Sequence, residues 1–231
     1  MLNLIRLELK KNSFNGSWLG VLIANAAIMA LVALMYFDPE ALENELTFPG
    51  YLEAFGMIEI FVRATFIIYA SVLIAKFVIE EYKNKTMSLM FSYPISRKKL
   101  IAAKLIIVSS WTFLAIILSN ILITGVLVLV NNYVGNIRGT LETDLLLEHG
   151  GRLLLNTVAA AGLSLIPLFF GMWKKSVPAT IVSAIVMVSI FSSNTDGFSL
   201  YSYIYVPIIL AVIGILIAYL SIRNVDRTDL I

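Results

Sequence analysis

The sequence has no cysteine and only one histidine, His149, in 231 residues. The absence of thiols excludes disulfide frameworks, thiolate metal sites and cysteine nucleophiles. A single histidine gives no basis for a histidine-built zinc site and little for a histidine-dependent hydrolase. Charged residues make up 14% of the chain, compared with about 25% in soluble globular domains. The composition therefore leaves little room for a soluble catalytic domain.

Apolar side chains are present in excess. Hydrophobic residues make up 59% of the chain and its mean hydropathy is +0.90. A bilayer core requires about 20 apolar residues per helix, and continuous apolar runs favour helices over the alternating strands of a membrane barrel. We predict an all-α membrane protein in which residues 1–231 form a single transmembrane domain. Its six transmembrane helices are predicted at approximately 18–37, 57–79, 105–130, 153–173, 176–193 and 203–222.

Basic residues predict the orientation of these spans. Fourteen of the 17 lysines and arginines lie in four segments: the amino terminus, the segment between spans two and three, the turn between spans four and five, and the tail. Acidic residues concentrate in the intervening loops. By the positive-inside rule, the basic segments are cytoplasmic, so we predict a multi-pass protein of the plasma membrane with both termini in the cytoplasm.

Residues 1–15 are predicted to form an amphipathic interfacial helix. Part of this stretch alternates like a strand, while Leu2, Ile5 and Leu9 fit one stripe of a helix. A lone strand would have no partner at a membrane surface, which favours the helix.

The longest cytoplasmic segment, residues 80–104, reads as a helix, a proline break and a second helix. Pro94 disfavours helix at the residue before it, and Ser96 is placed to cap a helix that continues into span three. The first part carries an apolar face at helical spacing, formed by Met87, Met90 and Phe91. Such a face fits a groove on a partner protein. An interfacial hairpin whose basic residues contact anionic lipid headgroups is the alternative interpretation.

The same segment carries an ordered set of residues. The acidic pair Glu80-Glu81 ends span two, Thr86 and Leu89 follow, then a Pro-Ile-Ser-Arg element, and Lys104 enters span three. This order resembles the loop of type-2 ABC exporter permeases, although Lys85 stands where that family often has glycine. A length of about 230 residues, six spans and two cytoplasmic ends also resemble the family's plan.

The resemblance implies that residues 80–96 form a coupling helix that sits in a cleft of a cytosolic ABC ATPase subunit. The residues that it assigns to this contact are Glu80, Glu81, Thr86, Met87, Leu89, Met90, Phe91, Pro94, Ser96 and Arg97. Residues 1–15 would correspond to the family's connecting helix. Six spans are half of a transporter of this type, which implies pairing with a second permease copy or a related permease.

The chain contains no G-x-x-x-x-G-K-[ST] sequence that would hold nucleotide phosphates. We therefore expect no catalytic residue, cofactor or metal in this chain, and ATP and magnesium in the partner ATPase. The expected partners are that ATPase, a second permease and the lipid bilayer, with no nucleic acid.

Polar residues within the spans are candidates for a substrate path: Glu59, Arg63, Asn120, Thr124, Asn156 and Ser164. Glu59 and Arg63 lie four residues apart on one helix face. They form either a charged patch at the outer mouth of a path or an ion pair near the membrane interface. The uncharged residues either line the path or hydrogen-bond between helices, which is the commoner use of such side chains in membranes.

The resemblance thus implies the permease subunit of an exporter. Permeases of this size in the family often resemble systems for export of, or immunity to, antimicrobial peptides such as lantibiotics and bacitracin. Other members of the family handle lipids, glycans or drugs. The alternative function is a membrane-embedded substrate-binding subunit or an ion-coupled carrier, which a deeply placed acidic residue would support. An intramembrane enzyme is disfavoured because no H-E-x-x-H or Ser–His arrangement is present.

Overall fold

The computed structural model describes residues 2–11, 15–37, 48, 50–83, 97–137, 143–192 and 205–223. Secondary structure in this part of the chain is entirely helical, which confirms the all-α prediction there. The elements are α1 (Leu2–Lys11), α2 (Asn15–Tyr36), α3 (Tyr51–Ile74), a π-helix (Ala75–Ile79), α4 (Glu80–Lys83), α5 (Arg97–Val134), α6 (Thr143–Leu163), α7 (Pro167–Lys174), α8 (Val177–Ser192) and α9 (Tyr205–Arg223).

Several of these helices can cross a membrane. Four stretches are long and apolar enough: Ser17–Tyr36, Tyr51–Ile79, Lys98–Val134 and Leu146–Lys174. Two shorter apolar helices cover Val177–Phe191 and Tyr205–Ser221. The protein is therefore a multi-pass membrane protein. Helices α3, α5 and α6 extend beyond the apolar blocks of the sequence, because helix continues into polar residues at their ends.

Helix α3 lies at the centre of the bundle and packs against α2, α5, α6 and α8. Its side chains Phe55, Ile58, Val62 and Phe66 are fully buried. The outer helices instead expose large apolar side chains, such as Leu22 on α2. Contiguous exposed apolar surface is unfavourable in water, so these outer faces are suited to lipid.

Helix α3 continues into the π-helix and α4 without a break. At this point the backbone N–H of Glu80 bonds the carbonyl of Ala75, five residues earlier. Single π-helical turns within α-helices are rare and occur often at functional sites. The π-helix is followed by the single turn of α4, and residues 84–96 after it lie outside the described ranges.

Helices α6 and α9 approach each other through glycine. A Cβ atom added at Gly162 would lie 2.7 Å from the Cα of Ala211, and one added at Gly214 would overlap the carbonyl of Gly162. Small residues permit such backbone contact between membrane helices. The sequence Ala159–Gly162 therefore serves helix association at this crossing.

Helix α6 ends before Pro167, which has no backbone N–H. The N–H groups of Leu165 and Ile166 bond carbonyls three residues back, at 3.1 and 3.0 Å. Helix α7 then ends at a tight turn in which Lys175 has a left-handed backbone, with φ of 47°. This turn lets α7 and α8 pack side by side.

Candidate functional site

Three groups of buried polar side chains lie at different levels of the bundle. At one end, Asn131 joins α2, α3 and α5. Its Oδ1 accepts hydrogen bonds from the hydroxyl of Tyr36 (2.7 Å) and the N–H of Ile137 (2.9 Å). Its Nδ2 donates to the hydroxyl of Tyr51 (2.7 Å) and the carbonyl of Ile137 (3.3 Å). All four hydrogen-bonding positions of this amide are used.

At the other end, Lys104 of α5 is 1% exposed. Its Nζ donates to the carbonyl of Phe77 at 2.8 Å and to the carboxylate of Glu81, and lies 3.7 Å from the carboxylate of Glu8. These acceptors belong to the π-helix, α4 and α1 respectively. Burying an ammonium is costly unless it is paired and hydrogen-bonded, and Lys104 meets both conditions. We call Glu8, Phe77, Glu81 and Lys104 the lysine node.

The two end groups are separated by about one bilayer thickness. Tyr51 and Phe77 are 26 residues apart on the helix that begins with α3, which corresponds to about 39 Å at about 1.5 Å per residue. Asn131 and Lys104 are 27 residues apart on α5, or about 40 Å. A bilayer with its headgroup regions is about 40–45 Å thick. The two groups therefore suit opposite membrane surfaces.

Between them lies a charged cluster on α3 and α6. Glu59 Oε1 accepts a hydrogen bond from Asn156 Nδ2 at 2.6 Å and lies 3.5 Å from Arg63 Nη1. The three residues are 8%, 8% and 3% exposed in that order. Glu59 and Arg63 therefore form the contact that the ion-pair interpretation of the sequence expects.

The position of this cluster corrects the sequence-based expectation. Arg63 is twelve residues from Tyr51 and fourteen from Phe77, so it lies about 18 and 21 Å from the two end groups along the axis. The pair is therefore close to the middle of the helix, not at an interface. Its burial also means that the side chains do not extend outward to solvent.

Further polar residues lie at the level of this cluster. The three helices that Asn131 joins each carry a buried polar side chain eleven or twelve residues from that junction. These side chains are Asn25 on α2, Arg63 on α3 and Ser119 on α5. Asn120 follows and is 2% exposed. Asn25 Oδ1, Ser119 Oγ and Asn120 Oδ1 are buried without a hydrogen-bond partner among the described residues. Counted along their helices, these residues lie at a depth similar to that of Arg63.

Two of the remaining path candidates, Asn120 and Ser164, form hydrogen bonds close by along the chain. Asn120 Nδ2 bonds the carbonyl of Ile116 at 3.0 Å, and Ser164 Oγ bonds that of Ala161 at 2.8 Å. Both bonds stay within the residue's own helix or turn, so the prediction of interhelical bonding is wrong for these two donors. Short polar side chains reach such carbonyls locally. Thr124 is half-buried on α5, and Asn156 is the candidate that bonds across helices.

Most of the predicted coupling residues lie outside the described ranges: Thr86, Met87, Leu89, Met90, Phe91, Pro94 and Ser96. Glu80 is exposed and Glu81 is part of the lysine node. Helix α5 begins at Arg97. Their predicted contact with an ATPase therefore stays a prediction.

Sequence signals for the contacts of the lysine node were weak. Lys104 is an isolated lysine among apolar residues, and Glu8 is an acidic residue in a basic amino-terminal helix. The partner Phe77 contributes a backbone carbonyl, which carries no sequence signal. Within the described ranges, no group of three or more His, Asp or Glu side chains is arranged to hold a metal.

Comparison with known proteins identifies the family. Residues 4–191 match the family described as ABC-2 family transporter protein. The uncharacterized protein YcbO of Bacillus subtilis (strain 168) is 45% identical over 228 residues, which cover 99% of this chain and 100% of that protein. No solved structure matches the chain significantly. The chain belongs to the ABC-2 transporter family and is a membrane-spanning permease subunit of an ABC transporter.

Proposed function

We propose that this permease exports an antimicrobial peptide or another amphipathic compound, driven by ATP that a separate cytosolic subunit hydrolyses. The observation that carries the transport path is the cluster of Glu59, Arg63 and Asn156, buried near the middle of α3. Ionisable side chains at such depth are costly, and in membrane proteins they mark substrate and ion pathways. The unpartnered oxygens at the same level supply further polar contacts for a passing substrate.

The proposed topology has six spans and cytoplasmic termini. The lysine-node end carries the exposed basic residues Arg6, Lys76 and Lys99, which favours the cytoplasm for that end. Helices α8 and α9 have 16 and 19 residues, or about 24 and 28 Å. These lengths approach the hydrocarbon thickness of about 30 Å, so both helices are counted as spans.

The proposed energy coupling passes through residues 80–96, which begin with α4 and lead to the start of α5. Family membership supports a partner ATPase, and the chain has no phosphate-binding loop. ATP and magnesium would bind in that partner. A second permease copy, or a related permease, would complete the path.

The export function is tested by the sensitivity of a deletion strain to lantibiotics, bacitracin, other amphipathic drugs and membrane-active lipids. We expect the deletion strain to be hypersensitive to at least one peptide. The wild-type gene should restore resistance. The Met90→Asp variant should not restore it, although its level in the membrane is normal. Leu122→Asp would be an unsuitable control, because Leu122 is an exposed apolar residue of α5 and the new charge would face lipid. Lys99→Gln, which changes an exposed charge, is the control and should restore resistance. Unchanged resistance to every peptide would reject the substrate class.

An ion-coupled carrier is the second candidate, because Glu59 is now placed deep in the bundle. Its test is the same resistance phenotype after the partner ATPase is inactivated by substitution of its catalytic residue. Resistance that survives this change but is abolished by a protonophore would favour the carrier. Loss of resistance would favour the ATP-driven permease.

A further inference from the structure

The lysine node connects α5 to three other elements, α1, the π-helix and α4, next to the coupling segment. We propose that Lys104 is a positioning residue that transmits movement of the coupling segment to α1 and α5. This inference rests on the proposed function, because it requires an ATPase that moves that segment. It assigns a role to Glu8, Phe77, Glu81 and Lys104 in the transport cycle.

The charges of the node favour a rigid connection. Lys104 is one cation between two carboxylates, Glu8 of α1 and Glu81 of α4. Glu8 is 3% exposed, so water does not replace its contact easily. In this low-dielectric surrounding the attractions are strong, and a displaced carboxylate would be left in an unfavourable environment. A shift of α4 therefore displaces Lys104 and α5 with it, as long as the ion pair of Glu81 and Lys104 is intact.

The π-helix makes the node sensitive to rotation. Lys104 bonds the carbonyl of Phe77 within it. An α-helix advances about 100° per residue, so conversion of the π-turn to α-helix would rotate the following residues by roughly that angle. The ammonium of Lys104 bonds both this carbonyl and the carboxylate of Glu81. It therefore fixes the rotation of α4 about its own axis relative to α5.

Binding of lipid headgroups does not explain Lys104. The ammonium is buried at 1% exposure and its three contacts are all within the protein. Lys99 on the same helix is exposed and is suited to headgroups. The two lysines therefore form a matched pair for experiment.

The test uses the complex with its ATPase in nanodiscs. The chain has no cysteine, so Leu7→Cys, at an exposed position of α1, carries one environment-sensitive fluorophore. The fluorescence change between the nucleotide-free state and the state trapped with ATP and vanadate is measured. The variants are Glu8→Gln, Lys104→Met and the double variant, and Lys99→Met is the control.

We expect a nucleotide-dependent signal in the wild type and in Lys99→Met, and a loss of roughly five-fold or more in Glu8→Gln and Lys104→Met, with ATP hydrolysis retained. The double variant should lose no more than Lys104→Met alone, because both changes remove one link. If Lys104→Met fails to fold, Glu8→Gln decides, since its Lys104 keeps Glu81. A full signal in Glu8→Gln, or no signal in a wild-type complex that hydrolyses ATP, would overturn the inference. A wild type that binds no ATPase would instead reject the proposed function.

Discussion

Asn156 of α6 donates a hydrogen bond of 2.6 Å to Glu59 of α3. The contact joins an amide and a carboxylate that are 97 residues apart, and it places α6 beside the ion pair of Glu59 and Arg63. A carboxylate with a cation and an amide donor can remain buried at moderate cost. The contact thus explains how α3 carries two charged residues near its middle.

The first prediction concerns that ion pair. Arg63→Met leaves the Glu59 carboxylate buried without this cation, and loss of one partner of a buried pair costs about 3–5 kcal/mol. We expect a clear fall in the melting temperature of the detergent-solubilised protein. The double variant Glu59→Gln/Arg63→Met should recover part of the loss, because it leaves no charge behind.

The chain contains a matched control for this prediction. Arg152 and Glu148 are also four residues apart, but their side chains are 55% and 61% exposed. An exposed pair contributes about 0–1 kcal/mol, so Arg152→Met should have little effect. Equal losses in Arg63→Met and Arg152→Met would contradict the burial of the first pair.

The second prediction concerns Asn131. Asn131→Leu removes the hydrogen bonds to Tyr36, Tyr51 and Ile137, and each buried group left unsatisfied costs about 1–3 kcal/mol. We expect lower thermal stability and faster hydrogen exchange at the amide of Ile137. Asn132→Leu changes the neighbouring exposed residue and should leave that exchange rate unchanged. Protection of Ile137 in both variants would show that Asn131 does not hold this end.

The third prediction concerns the crossing of α6 and α9. Gly214→Ala introduces a Cβ atom that overlaps the backbone of Gly162, so the helices must separate and the melting temperature should fall. A Cβ atom at Gly125 would meet no other atom within 4 Å. Gly125→Ala should therefore be neutral or stabilising by roughly 0.5–1 kcal/mol. Similar changes in both variants would exclude the close crossing.

The fourth prediction concerns the turn after α7. Lys175 has a positive φ of 47°, which costs a non-glycine residue about 1–2 kcal/mol. Lys175→Gly should raise the melting temperature, whereas Lys174→Gly, within the helix, should lower it because glycine costs about 1 kcal/mol in a helix. Changes in melting temperature of opposite sign for the two variants would show that the helix ends in a turn here. Two decreases would indicate a continuous helix.

The sequence was sufficient for the helical class, the family and the ion pair. Apolar runs decide between helix and strand in a membrane, and a spacing of four residues places Glu59 beside Arg63 on one helix. It was insufficient for the contacts of Lys104. Its two carboxylate partners lie far along the chain, and their convergence depends on how three helices pack.

The depth of the charged cluster was also not predictable from hydropathy. Polar residues near Tyr51 ended the apolar block early, although the helix itself begins there. The helix begins at Tyr51, six residues before the predicted start of the span. Glu59 and Arg63 are therefore closer to the middle of the helix than the apolar block suggests. Similarly, Asn120 and Ser164 bond neighbouring carbonyls because these are always within reach, whereas an interhelical partner depends on rotation of the helix.

The most direct test of the proposed coupling is a mild-detergent purification of the tagged protein, with identification of co-eluting proteins and an ATPase assay. We expect a stoichiometric ABC ATPase with vanadate-sensitive activity, which is lost when Met87, Met90 and Phe91 are replaced by aspartate. The control Lys99→Gln should retain it. Purification of the intact permease without any ATPase, or an ATPase that remains bound after the aspartate substitutions, would contradict the proposed coupling through residues 80–96.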